Sequence, residues 1–177
     1  MSRLKQTIAL VGMMGAGKSS LGRRLAAKLE VPFRDADAEI EAAAGCSIND
    51  IFDRFGEEAF RDGERKVIAR LLMESPCVLA AGGGAFVDPE TRARIKDTAL
   101  SVWINVPIEV LISRVERRDT RPLLRDGDPK EILIRLLRER EHIYAEADLT
   151  ISSEDGPHNT AVERILTALT ERGMLEP

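Results

Sequence analysis

The sequence predicts an α/β fold in three layers, a mostly parallel sheet with helices on its faces. Three observations carry that expectation. Short apolar runs alternate with amphipathic stretches along all 177 residues. A glycine-rich segment, Gly12-Met13-Met14-Gly15-Ala16-Gly17-Lys18-Ser19, joins the first apolar run to the first amphipathic stretch. No internal repeat or low-complexity linker interrupts the alternation, so one domain is expected. Strand-helix alternation favours parallel pairing because a strand that returns in the same direction needs a long crossover, usually a helix.

The elements follow in order. Strands are expected at 7–11, 32–35, 77–81, 100–105 and 148–152. Residues 18–30 carry Leu21, Leu25, Ala26 and Leu29 at helical spacing. A short Ala/Glu-rich helix at 37–44 is stopped by Gly45. Ser47 caps the next helix, with Asp50 three residues on. A longer helix runs from about Glu57 to Glu74 and ends before Pro76. Asp88-Pro89 pairs an N-cap with proline at the first helical position, and Val106-Pro107 is expected to begin a helix in the same way. Asp128-Pro129 starts a helix reaching about Ala145, and the last helix spans 158–172.

Composition narrows the function. Hydrophobic residues at 44% and charged residues at 32% describe an ordinary globular chain long enough for a full core. A net charge of −4 and only 4% aromatics speak against a nucleic-acid binder, which needs basic or stacking surfaces. The two cysteines, Cys46 and Cys77, have no metal spacing around them; Cys77 reads as a core residue. No signal-peptide pattern and no apolar stretch near membrane-spanning length occurs, so the cytoplasm is the expected location and no membrane partner is expected. His142 and His158 have no partner in sequence, and no Ser-His-Asp or Cys-His set exists.

Chemistry is expected where the strands end, because parallel sheets present ligands at their carboxyl edge. The segment Gly12–Ser19 fits G-x-x-x-x-G-K-[ST] and lies between a strand and a helix, the setting in which it cradles phosphates. Backbone N–H groups turn inward, and the helix N-terminus adds its partial positive charge. Lys18 would reach the β- and γ-phosphates and Ser19 would hold Mg²⁺. The second strand exits into Asp35-Ala36-Asp37: one carboxylate could hold the waters around Mg²⁺ and the other accept a proton, the plainer reading being an aspartate that caps the helix. The third strand exits into Gly82-Gly83-Gly84, where backbone can approach a ligand closely. No Asp ends that strand, so Asp35 is the expected metal carboxylate. Arg61 by itself reads as a solvated helix charge, but Glu64 three residues on could hold its guanidinium, and an arginine so fixed suits a substrate carboxylate. Arg114, Arg117, Arg118 and Arg121 cluster before Pro122, in a polar Gly/Pro-containing stretch that reads as a lid able to close over phosphates. Arg138, Arg140 and Tyr144 follow on the long helix.

Taken together, the ordered motifs G-M-M-G-A-G-K-S, D-A-D, F-R-D-G-E, G-G-G-A, R-P-L-L and R-E-H-I-Y resemble those of the shikimate kinases over nearly the full length. The resemblance implies a nucleoside-monophosphate-kinase-like P-loop fold with five parallel strands in the order 2-3-1-4-5. It implies transfer of the ATP γ-phosphate to the 3-hydroxyl of shikimate, on the way to chorismate and the aromatic amino acids. By position, Asp37 matches the aspartate that contacts the shikimate hydroxyls and serves as base, and Asp35 the one that reaches Mg²⁺ through water. Arg61 and Arg140 match the carboxylate clamp, and Gly82, Gly83 and Gly84 the substrate-facing loop. Arg121 matches the lid arginine on the ATP phosphates, so Asp37, Lys18 and Arg121 form the expected catalytic set. ATP is expected against Gly15, Ala16, Gly17, Lys18, Ser19 and Ser20, the last standing where the family often has Thr. Adenine would lie between Arg114 or Arg117, the latter taken as the ATP contact, and the loop at 155–157, with Pro157. The expected organisation is one domain over 1–177, with a shikimate-binding region at about 33–61 and a lid at about 117–128. The expected partners are ATP with Mg²⁺ and shikimate, on a monomer.

The rival readings are a gluconate kinase of the same fold, a nucleoside monophosphate kinase and a non-catalytic nucleotide-binding domain. The Arg61, Gly82–Gly84 and Arg140 set speaks against the first, the lack of a base-reading pocket against the second, and intact Lys18, Ser19, Asp37 and Arg121 against the third.

Overall fold

The structure is a computed structural model and describes residues 4–117, 124, 127–154 and 158–176. Five strands, β1 (Thr7–Val11), β2 (Phe33–Asp35), β3 (Val78–Ala80), β4 (Ala99–Asn105) and β5 (Leu149–Ser152), form one sheet in the order β2-β3-β1-β4-β5. Every pairing is parallel. Both faces of the central strands are covered, which is why β1 is buried at all five positions and reads as a continuous apolar run. Cys77 and Ala81, expected as the ends of β3, lie just outside it yet still bond to β1, through Ile8 N–H to the Cys77 carbonyl and Ala81 N–H to the Leu10 carbonyl.

The helices are α1 (Lys18–Leu29), α2 (Ala36–Ala44), α3 (Ile48–Leu72), α4 (Pro89–Thr98), α5 (Ile108–Glu116), α6 (Pro129–Tyr144) and α7 (His158–Glu171). α1 lies against β2 and β3 and packs on α7; α4 lies against β4 and packs on α3; α5 packs on α6. Ser47, Asp88 and Asp128 cap their helices, accepting from the N–H groups of Asp50, Thr91 and Lys130. The span Ile48–Leu72 is two helices merged across a break at Gly56, whose φ of 87° and ψ of 172° are not helical, so the two segments expected around residue 56 are present. One expectation is corrected. Val106-Pro107 does not start α5 as Asp88-Pro89 starts α4: Pro107 occupies the N-cap position itself, and no side chain caps the helix, because neither Val106 nor Pro107 carries an acceptor. A 3-10 turn over Ala85–Val87, not expected from the sequence, follows the triple glycine.

Two further ties join segments distant in sequence. The Asp148 carboxylate accepts from the Ser101 N–H at 2.9 Å and from its hydroxyl at 3.1 Å, which sets β5 beside β4. Lys5 Nζ donates to the Gly173 carbonyl at 2.7 Å, and Leu4 bridges Leu175 antiparallel. Among the described residues no helix is long and apolar enough to cross a membrane.

Candidate active site

The strand exits converge on one edge of the sheet, and the site is built there. Gly12, Gly15 and Gly17 adopt φ of 139°, 81° and 87°, values that side chains rarely allow. They curl the chain between β1 and α1. No side chain caps α1, and its first turn contains no acidic residue. Its leading N–H groups and the positive end of its dipole are left to serve an anion. Lys18 is buried and its Nζ donates to the carbonyls of Gly12 at 2.7 Å and Met13 at 2.9 Å, so the ammonium lies over the same loop. Arg114 on α5 donates from Nη1 to the Gly15 carbonyl at 3.1 Å. Arg117, the residue just past α5, is exposed, as is Ser20 on α1.

Asp35 takes the helix-capping reading of the D-x-D motif and also reaches the phosphate loop. Its Oδ1 accepts from the N–H groups of Asp37 at 3.0 Å and Ala38 at 3.3 Å, which is an N-cap for α2. Its Oδ2 accepts from the Ser19 hydroxyl at 2.7 Å, which joins the end of β2 to the phosphate loop. Asp37 then stands on the first turn of α2, facing the glycine loop.

That loop organises the other half of the site. A β-carbon built on Gly82 would lie 3.0 Å from Asp37 Oδ1 and 3.0 Å from Glu64 Oε2. One on Gly83 would meet Met14 N at 3.2 Å and Arg140 Nη1 at 3.7 Å, and one on Gly84 would lie 2.6 Å from Arg61 Cζ. The three glycines therefore floor a pocket lined by polar side chains, Asp37, Arg61 and Glu64, and by apolar ones, Met14, Ile48, Phe52 and Phe60. Arg61 is gripped by its own helix: Nη1 donates to Glu64 Oε1 at 2.9 Å, Nη2 lies 3.5 Å from Glu57, and the guanidinium carbon sits 5.0 Å from the Phe60 ring centre. Burial pushes the Glu64 carboxyl above its usual range, against the pull of Arg61, and nearby Asp37 adds to the rise.

Two buried polar atoms here lack a partner among the described residues, Glu64 Oε2 and Arg140 Nη1. Buried polar groups are almost always satisfied, so such atoms point to a missing polar partner. Arg140 is only 8% exposed on α6. An anionic, hydroxylated molecule on the glycine floor would supply what both lack.

The structure thus brings together Gly15, Ala16, Gly17, Lys18, Ser19 and Asp35 in one group, and Asp37, Arg61, Gly82, Gly83, Gly84 and Arg140 in the adjoining one. Arg121, Pro157 and most of the expected lid at 117–128 lie outside the described residues. Sequence reading named Glu64 as the holder of Arg61 but not as part of the pocket; the i, i+3 spacing on one helix face was the available signal. The apolar wall from Ile48, Phe52 and Phe60 had no signal beyond ordinary amphipathicity; Tyr144, which closes the R-E-H-I-Y motif but had no role assigned, donates from its hydroxyl to the Gly83 carbonyl.

A mononucleotide-binding sheet, an uncapped helix behind a G-x-x-x-x-G-K-S loop and a polar acceptor pocket beside it define a P-loop small-molecule kinase. The sequence model of the shikimate kinase family matches residues 14–170. A shikimate kinase from Paramagnetospirillum magneticum is 59% identical over 167 residues, covering 94% of this chain and 86% of that protein. One from Caulobacter vibrioides is 59% identical over 166 residues, covering 94% and 83%. The solved structure of the Acinetobacter baumannii shikimate kinase in complex with shikimate superposes with a TM-score of 0.92 at 37% identity, covering 94% of each chain. The chain belongs to the shikimate kinase family and is an ATP-dependent kinase acting on a small-molecule alcohol.

Proposed function

We propose that this protein transfers the γ-phosphoryl group of ATP to the 3-hydroxyl of shikimate, giving shikimate 3-phosphate and ADP. The observation that carries this reading is the meeting of Asp37, Arg61 and Arg140 over one glycine floor, next to the phosphate loop. A carboxylate gripped by two guanidinium groups orients the ring, and bidentate geometry makes that grip directional. One ring hydroxyl is then held near the Asp37 carboxylate and in line with the terminal phosphate. Such positioning supplies much of the barrier reduction in phosphoryl transfer. Asp37 accepts the hydroxyl proton as the oxygen bonds to phosphorus and the bond from phosphorus to the bridging β–γ oxygen breaks, leaving ADP. Lys18 and the N–H groups of α1 balance charge on the phosphates, joined by Arg121 from the lid.

The residues fit Mg²⁺, which takes hard oxygen ligands and commonly needs only one or two protein groups beside phosphates and water. The Ser19 hydroxyl and Asp35 Oδ2 lie together at 2.7 Å. Ser19 would hold the ion directly and Asp35 through water. When bound it would neutralise phosphate charge. Adenine would stack near Arg114 or Arg117 and Pro157. The enzyme acts as a single-domain monomer in the cytoplasm, with residues of about 33–61 receiving shikimate and the segment at about 117–128 closing as a lid.

The test is a coupled assay of ADP release by the purified protein with ATP, Mg²⁺ and shikimate, run beside gluconate and a nucleoside monophosphate. Turnover confined to shikimate is expected. Turnover with either of the others and none with shikimate would overturn the reading.

A further inference from the structure

Tyr144 closes α6 with its side chain fully buried. A buried tyrosine hydroxyl normally finds a partner, and this one donates to the Gly83 carbonyl. It also approaches Met13 Sδ of the phosphate loop at 3.9 Å, while the ring packs near Trp103 with centroids 5.9 Å apart. Arg140 precedes it by one helical turn and so shares its face of α6. Burial pushes the Tyr144 phenol up, with Arg140 pulling against it, so the hydroxyl keeps its proton to donate.

Gly83 itself is squeezed. A β-carbon there would lie 3.2 Å from Met14 N, 3.7 Å from Arg140 Nη1 and 3.8 Å from the Gly12 carbonyl oxygen. The glycine is thus the spacer between the phosphate loop and the Arg140 guanidinium. Its carbonyl belongs to the peptide that ends in the Gly84 N–H, and in a trans peptide those two groups point in opposite directions. Fixing the carbonyl therefore fixes the whole plane, at the point where Gly84 passes beneath Arg61.

We propose that Tyr144 is a positioning residue for the acceptor site: its hydroxyl fixes the Gly83–Gly84 peptide and with it the spacing between the phosphate loop and Arg140. It touches neither substrate and acts through Gly83 and through its side-chain hydrogen bond with Arg140. The inference rests on the reading of Arg140 as a partner of the shikimate carboxylate.

Tyr144→Phe tests it, because the ring and its packing against Trp103 stay and only the hydroxyl goes. The shikimate KM is expected to rise about tenfold, the scale of one lost buried hydrogen bond, while the ADP Kd stays within about twofold. A rise in shikimate KM below about fivefold, on the same scale, overturns the proposal. So does a joint loss of ADP and shikimate affinity, which marks a purely structural role. Arg140→Ala is measured alongside. If it keeps its shikimate Kd, the carboxylate reading fails; if it loses affinity while Tyr144→Phe does not, only the role of Tyr144 fails.

Discussion

Gly84 lies directly beneath Arg61, so closely that a β-carbon at residue 84 would stand 2.6 Å from the guanidinium carbon. Arg61 cannot simply swing away, because Glu64 and Glu57 hold it from its own helix. Gly84→Ala is therefore expected to displace the guanidinium. The shikimate KM should rise by about an order of magnitude, comparable to losing a well-aligned charged hydrogen bond. The phosphate loop lies elsewhere, so ADP binding measured by calorimetry should hold. An unchanged shikimate KM would mean that the guanidinium relaxes without cost.

Asp37 stands on the first turn of α2 within reach of the glycine floor, whereas Asp35 is committed to the helix cap and to Ser19. Asp37→Asn keeps the shape and removes the proton acceptor. A fall in kcat of about a hundredfold or more is expected, the range for a lost general base, with ADP affinity retained. Near-normal kcat would exclude Asp37 as the base.

Arg61 and Arg140 approach the pocket from different helices, α3 and α6. Truncating either leaves a desolvated carboxylate on the ligand with half its partners. Arg61→Ala and Arg140→Ala should each weaken shikimate binding by about 2–5 kcal/mol. Titration by calorimetry checks this residue by residue, and a variant that keeps its Kd is not part of the clamp.

Glu64 carries a pH signature. Its carboxyl is raised above the ordinary value of 4.5 in the folded protein by burial, opposed by Arg61. The folded state therefore binds this proton more tightly than the unfolded chain does. Its contribution to stability is complete below pH 4.5 and is lost as pH rises through the higher folded value. Glu64→Gln cannot ionise. The difference in Tm, wild type minus Glu64→Gln, should therefore be largest in acid and fall as pH rises above 4.5. A difference that grows with pH would show that the ion pair with Arg61 outweighs the desolvation.

The order of strands and helices could be read from the chain because each depends on local pattern. Apolar runs mark β1 and β4, Ser47 and Asp88 mark helix starts, and Gly45 marks a stop. Val106-Pro107 marks the start of α5 less sharply, because proline can occupy the position before the first helical turn as well as the turn itself. The phosphate loop is local too, since its chemistry sits in eight consecutive residues, Gly12 to Ser19.

By itself, then, the sequence determined the fold class, the phosphate loop and, through the order of its motifs, the family. The tertiary structure decided how the distant pieces meet. Ser19 bonds to Asp35 across sixteen residues, Tyr144 to Gly83 across sixty-one. Arg140 lies beside the glycine floor, and the carboxylates of Asp37 and Glu64 converge over Gly82. Such contacts depend on strand order and helix rotation, which place side chains to fractions of an ångström. A motif records which residues are present, whereas only packing determines which of their atoms face one another and which, like Glu64 Oε2 and Arg140 Nη1, are buried without a partner among the described residues.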